Sequence, residues 1–145
     1  MRSLILKRIS KIPTRTIART PAIDAAYNLY RKQRRNQYGN DEPCPLCETD
    51  NRVIIQEFDT VHVIENDYPY DIYDNLPVQR HLMLIPKRHL HSYSEFNDAE
   101  RHDYWEALRQ YSDDGFNSMT RSVGNRHRSV PGHLHTHLMR YDDNL

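Results

Sequence analysis

The chain has 145 residues, 37% of them hydrophobic, and a mean hydropathy of −0.90, enough for one domain with a small core. No run reaches membrane-span length, and Met1–Ile9 is too short and too charged for a secretory signal, so the cytoplasm is the expected location. The net charge of zero conceals an asymmetry: residues 1–40 carry ten of the twenty Lys+Arg against the single acid Asp24, leaving ten bases and nineteen acids in the remainder.

Residues 1–20 alternate basic and small apolar residues around Pro13 and read as a loosely docked arm; an Arg-rich, acid-poor start is also the composition of a transit peptide. Residues 22–38 predict a helix, with Ile23, Ala26, Tyr27 and Tyr30 on one face and Gly39-Asn40 ending it. Its Arg31, Lys32, Arg34 and Arg35 are either a patch for nucleic acid or another polyanion, or a solvated helix end complementing the dipole. The chain thus divides into a basic arm and helix, 1–40, and a second unit, 41–145.

From Cys44 the pattern turns to strands. Arg52–Glu57 and Thr60–Ile64 predict a hairpin, and Glu65 to Pro77 a long, turn-rich connector. His81–Ile85 is a buried strand stopped by Pro86. Asn97 with Glu100 three residues on is a capping-box signature, opening a helix to about Ser112 with Tyr104, Trp105, Leu108 and Tyr111 inward. Phe116–Val123 predicts a strand, Gly124–Arg128 a basic loop, and His133–Tyr141 the last strand. The sum is an α+β fold, an antiparallel sheet of about five strands with a main helix packed on it, plus the N-terminal helical extension.

Two constellations carry chemistry. Cys44-Pro45-Leu46-Cys47 has the spacing of zinc ligands or of a redox pair; two thiolates and two imidazoles close a tetrahedral site, and His89 and His133 are the histidines placed to complete it. His133, His135 and His137 alternate with Leu134, Thr136 and Leu138. On a strand they form a row on one face, roughly 6.5–7 Å apart, with the apolar set turned to the core. His135 is the candidate nucleophile, because a neutral imidazole attacks phosphorus without a separate base once its other nitrogen is held by a carbonyl. Ser129, Arg126 and Arg128 lie just upstream, where a hydroxyl, guanidinium groups and backbone N–H groups reach phosphate oxygens.

His133-Leu134-His135-Thr136-His137-Leu138-Met139 resembles the His-φ-His-φ-His-φ-φ signature of the histidine triad (HIT) superfamily. Cys44-Pro45-Leu46-Cys47 resembles the Cys-x-x-Cys opening of many bacterial, zinc-bearing members. Asn66-Asp67-Tyr68-Pro69-Tyr70 is similar to the family's Asn-x-x-Pro-Tyr, and His81–His89 to its His-hydrophobic-Ile-Pro-Lys-x-His strand. Gly115-Phe116-Asn117 resembles the start of its penultimate strand. The resemblance spans about residues 44–140.

It implies a nucleotide hydrolase or nucleotidyl transferase acting on the α-phosphate of dinucleoside polyphosphates or nucleoside phosphoramidates through a covalent nucleotidyl-His135. It implies a structural zinc on Cys44, Cys47, His89 and His133, support from His137 and His81, ribose binding by Asn66, phosphate contact by Ser129, and a homodimer. The sequence departs from the pattern at Arg80, where Gly is usual, at the long connection Asp71–Arg80, and at Arg126-His127-Arg128, usually Ala-Gly-Gln. One additional residue separates Ser129 from His133, a spacing found in members resembling dinucleoside polyphosphate phosphorylases. The alternatives are a non-catalytic nucleotide- or nucleic-acid-binding module, tethered through residues 1–40 and carrying a structural zinc, and a purely structural zinc protein.

Overall fold

The structure, a computed structural model, describes residues 17–142; of the arm expected over residues 1–20, the first sixteen lie outside the described residues, and the rest is not loose, since Ala18 bridges Ile72 and Arg19 donates to the Tyr68 carbonyl. Helix α1 spans Pro21–Tyr38. The Thr20 hydroxyl caps it by accepting from the Ile23 N–H at 3.3 Å, Pro21 takes the first turn, and Gly39 at φ 61° ends it. Then follow β1 (Ile54–Glu57), β2 (Val61–Glu65), β3 (Ile72–Tyr73), β4 (Leu76–Pro86), a 3-10 turn (Tyr93–Glu95), α2 (Asp98–Asp113), β5 (Asn117–Met119) and β6 (Thr136–Tyr141).

The sheet is antiparallel in the order β1-β2-β4-β6-β5, with β3 paired to the start of β4. Five strands form the expected path. The sixth, β3, comes from the stretch expected to be connector. Asp74 and Asn75 both adopt positive φ, 53° and 61°, as a two-residue type I′ turn requires, and they fold Ile72–Tyr73 back on Leu76–Pro77.

Strand parity divides the molecule. Val61, Val63, Leu82, Leu84, Leu134 and Leu138 point to one face, where they meet Tyr104, Ala107 and Tyr111 of α2 together with Leu90, Phe96 and Phe116. Helix α2 begins with the expected capping box. Asn97 Oδ1 accepts from the Glu100 N–H at 2.8 Å, and Glu100 accepts in return from the Asn97 N–H at 2.9 Å. Glu100 is 2% exposed, and its charge is met by Arg88 at 2.8 Å. Trp105, expected inward, is 64% exposed. It sits one residue, about 100° of helix rotation, from Tyr104, and so leaves the buried Tyr104–Ala107–Tyr111 stripe. Two expected strands are shortened: β5 covers only Asn117–Met119, and ladder pairing in β6 begins at Thr136.

The opposite face carries Ile64, Met83 and Ile85, packed on Leu46 of the cysteine turn, and beside them the histidines. Helix α1 docks here on loops. Arg34 holds Glu42, Glu48 and the Pro43 carbonyl at 2.6, 3.2 and 2.8 Å, so that one arginine of the basic run is engaged within the chain. Tyr27 and Tyr30 lie against the Tyr68 ring, with centroids 5.1 and 5.3 Å away. Ala18 forms a bridge with Ile72 of β3. Among the described residues, no helix is long and apolar enough to cross a membrane.

Candidate active site and metal centre

His133 and His135 precede the ladder of β6, yet the alternation expected of a strand holds through them. Leu134 and Leu138 enter the α2 core, and Thr136 is hydrogen-bonded to Tyr104 and Thr120. The three triad histidines face the other way and are almost fully buried.

The tautomers of His135 and His81 are set by backbone groups, and that of His137 by His81. His135 Nδ1 lies 2.9 Å from the His133 carbonyl oxygen, which only accepts, so Nδ1 carries the proton and Nε2 is the lone pair. That Nε2 faces the Ser129 hydroxyl at 3.4 Å. His81 Nδ1 lies 3.0 Å from the Tyr70 N–H, which only donates, so His81 carries its proton on Nε2 and gives it to His137 Nδ1 at 2.8 Å. His137 is thereby left with Nε2–H as a donor. The Asn66 amide nitrogen sits 3.3 Å from His81 Nε2, but both are donors, so it does not compete for that bond; Asn66 Oδ1 accepts from the Tyr68 N–H at 2.9 Å. The Tyr70 ring lies over both imidazoles, 4.7 Å from His81 and 5.7 Å from His137.

Burial holds these rings neutral. Desolvation, then the positive charge of Arg19 and the neighbouring His135 ring, pulls His81 down to about 3. Desolvation and then His81 hold His137 well below the usual imidazole range. Desolvation also lowers His135, opposed by the bond to the His133 carbonyl and reinforced by Arg128 and Arg121. At neutral pH His135 Nε2 is therefore an oriented, unprotonated lone pair.

The metal-type cluster forms as expected. Cys44, Cys47, His89 and His133 bring one donor atom each within 4.8 Å of one another. Cys44 Sγ and Cys47 Sγ lie 3.4 Å from His133 Nδ1, and Cys47 Sγ lies 3.3 Å from His89 Nδ1. A tetrahedron with metal–sulfur and metal–nitrogen bonds of about 2.3 and 2.0 Å has sulfur–nitrogen edges of about 3.5 Å, so the spacing fits. His133 Nε2 donates to the Pro86 carbonyl at 2.8 Å, turning its Nδ1 lone pair to the thiols, the outer bond expected of a ligating histidine. Burial and the neighbouring Cys44 raise the Cys47 thiol to about 11, a penalty that a bound dication reverses. This donor set, soft and tetrahedral, fits a metal ion.

The two upstream arginines separate. Arg128 is 3% exposed and donates to the carbonyls of Pro131 and His91 at 3.0 and 2.9 Å, fastening the loop that carries Ser129. Arg126 is exposed. A cavity of about 360 Å³ runs past Asn66, Ser129 and His137 over an apolar floor of Leu46, Met83 and Val130. Its other wall consists of Tyr27, Tyr30, Arg31 and Arg35 of α1 and of Arg19, none assigned to the site from the sequence. Spacing within α1 shows which residues share a face. Only the fold shows that this face looks onto the histidines.

No protein-family model and no curated protein matches the sequence. Solved structures do. The chain is similar to a HIT family hydrolase from Clostridium thermocellum, with 23% identity over 70% of this chain and 93% of that one and a TM-score of 0.53. It is similar to a hypothetical histidine triad nucleotide-binding protein from Sulfolobus tokodaii, with 23% identity over 70% and 74% and a TM-score of 0.52. A histidine triad nucleotide-binding protein from Candida albicans aligns at 16% identity over 69% and 76%, with a TM-score of 0.53. The chain has the histidine triad fold, with the triad gathered on the face of the sheet opposite α2.

Proposed function

We propose that this chain is a nucleotide hydrolase or nucleotidyl transferase of the histidine triad type, with His135 as the nucleophile. The observation that carries the reading is the pair of contacts on His135: Nδ1–H held by the His133 carbonyl, and a neutral Nε2 turned to Ser129 at the cavity wall.

The Nε2 lone pair attacks the α-phosphorus. The phosphorus–nitrogen bond forms as the bond from phosphorus to the leaving group breaks, and that electron pair departs with the leaving group. His135 becomes a nucleotidyl-imidazolium that keeps its Nδ1–H on the His133 carbonyl. Water, or another acceptor, then attacks phosphorus and the electron pair returns to Nε2; with water, one proton ends on the leaving group and the hydroxyl on phosphorus. His137 Nε2–H and the Ser129 hydroxyl donate to the phosphate oxygens, and Asn66 lies along the same cavity to meet the ribose. Arg126 and Arg128 supply positive charge to the phosphate side. Cys44, Cys47, His89 and His133 would hold a zinc ion, which when bound neutralises the thiolates and fixes the His133 peptide whose carbonyl orients the nucleophile.

The test is turnover of a nucleoside phosphoramidate and a dinucleoside polyphosphate by the full chain, with trapping of an acid-labile nucleotidyl adduct. His135→Ala is expected to abolish the adduct and lower turnover by about 10³-fold or more. Turnover surviving that change removes the assignment. Tight nucleotide binding with no turnover in the unmodified chain supports the binding-module reading instead.

A further inference from the structure

A second cavity, of about 300 Å³, adjoins the first and shares with it the wall made by Arg19, Tyr27, Arg31 and Ser129. The two differ in chemistry. The larger combines an apolar floor with tyrosines, Asn66 and both signs of charge, Glu42 and Asp67 among its arginines. The smaller is lined by four arginines, Arg19, Arg31, Arg126 and Arg128, with Tyr70 and His127 and no carboxylate. A concave surface bordered by Arg19, Arg31 and Arg126, with the buried Arg128 behind its loop and no acid, concentrates positive potential, the setting in which phosphates are held.

Arg19 is fixed there by the fold. Ala18 pairs with Ile72 through hydrogen bonds of 3.0 and 3.1 Å, its carbonyl also accepts from the Asp71 N–H at 2.8 Å, and the Thr20 N–H is bonded to the Asp71 carboxylate. Between these anchors the Arg19 guanidinium lies 4.6 Å from both the Tyr27 and Tyr70 ring centroids, and its Nε–H donates to the Tyr68 carbonyl at 2.7 Å. Among the described residues no hydrogen bond uses its two Nη groups. The Tyr70 ring that backs it also covers His81 and His137, so this cation stands one aromatic ring away from the imidazoles.

We propose that Arg19, Arg31 and Arg126 bind the phosphates beyond the one attacked, so that the chain acts on nucleotides whose α-phosphate continues into a polyphosphate in preference to single-phosphate nucleoside derivatives. The larger cavity takes the nucleoside, Ser129 marks the reacting phosphate at the wall common to both cavities, and the smaller takes the rest of the polyphosphate. Two of the three arginines come from the segment outside the resemblance to the triad family, and the third stands where that pattern has Ala-Gly-Gln. The proposal rests on the catalytic reading of the site, but binding tests it without catalysis.

The experiment compares the full chain with Arg31→Ala/Arg126→Ala, two exposed positions whose loss does not open the fold, and with Arg19→Lys. Arg101→Ala/Arg109→Ala on α2 matches the loss of charge at a distance from the site. Calorimetric binding of inorganic tripolyphosphate is measured beside orthophosphate, and kcat/KM for a dinucleoside tetraphosphate beside a nucleoside phosphoramidate. Tripolyphosphate is expected to bind at least tenfold tighter than orthophosphate, and to weaken tenfold or more in the double variant and severalfold in Arg19→Lys, with the α2 control unchanged. The dinucleoside substrate should lose ten- to a hundredfold in kcat/KM, and the phosphoramidate, with one phosphate to be reached by Arg126, several times less than that. Equal losses on both substrates, or tripolyphosphate binding insensitive to the arginines, overturn the proposal even if turnover still requires His135. Arginine-dependent tripolyphosphate binding in a chain without turnover leaves it standing while the catalytic reading fails.

Discussion

Replacing His81 with Gln isolates the effect of one buried neutral imidazole on stability as the pH falls. In the native chain His81 is 2% exposed, receives the Tyr70 N–H on Nδ1 and is held down to about 3 by desolvation and Arg19. Protonating it puts a second hydrogen against the Tyr70 N–H and a charge into the site. The unfolded imidazole titrates near its ordinary value of about 6.5. Because the native value is depressed, the unfolded chain binds the extra proton first, so stability is highest above about pH 6.5 and falls as the pH drops toward the native value. Between pH 7.5 and 5.5 the unfolded imidazole passes from about nine-tenths neutral to about nine-tenths protonated while the native one stays neutral, a tenfold change worth about 1.4 kcal/mol. A Gln at this position keeps an amide donor for His137 and carries no titration. Urea unfolding at pH 7.5 and 5.5, at equal metal saturation, reads the difference: the variant should lose about 1.4 kcal/mol less than the unmodified chain over this interval, roughly half to one molar in urea midpoint. Whatever else titrates is common to both proteins and cancels. Equal pH decrements show that His81 is protonated in the native state or open to water, and the neutral donor role of His137 falls with it.

Zinc content near one per chain is expected in protein purified without chelator, and Cys47→Ser should remove it and lower the melting temperature, as read by elemental analysis and calorimetry; full metal retention refutes the four-residue site. Trp105→Ala should change stability by less than about 0.5 kcal/mol, whereas Tyr104→Phe, which removes one of the two hydroxyls bonded to Thr136, should cost about 1 kcal/mol in denaturant unfolding. Asn75→Val places a β-branched residue at φ 61° and should destabilise by about 1 kcal/mol or more, with Asn75→Gly close to neutral.

What could be read ahead of the fold depended on local pattern. The Asn97–Glu100 capping box, the β1–β2 hairpin and the alternation of His133, His135 and His137 with Leu134, Thr136 and Leu138 each rest on contacts within a few residues or on strand parity, and all three are present. The metal-type quartet was legible because two of its members share one turn, while His89 follows the end of β4 and His133 opens the alternating run into β6. Trp105 was misplaced because helix periodicity names a stripe but not its edge. The β3 turn was not legible although Asp74-Asn75 are residues that tolerate positive φ, since a two-residue strand is too short to show the alternation that marks one. The docking of α1 had no local signal. Arg19 reaches Tyr68 and Tyr70 across some fifty positions, and the tyrosines of α1 read equally well as an ordinary buried face until the loop they pack on is known.

The geometry also changes what the three alternating histidines mean to one another. Their equal spacing invites a relay, but no hydrogen bond joins their side chains directly. His133 turns its ring to the cysteines and offers His135 only its peptide carbonyl; His137 is bonded through its ring to His81, not to His135. The His135 and His137 rings meet edge-on at 5.1 Å, a contact that positions them without moving a proton between them. Loss of the metal-type ligands should therefore reach His135 through the tilt of the His133–Leu134 peptide. Loss of His81 should reach it only through the donor on His137. Two perturbations on the same face of one sheet thus enter the site by separate routes, and in a double-mutant cycle Cys47→Ser and His81→Gln should be close to additive in log kcat.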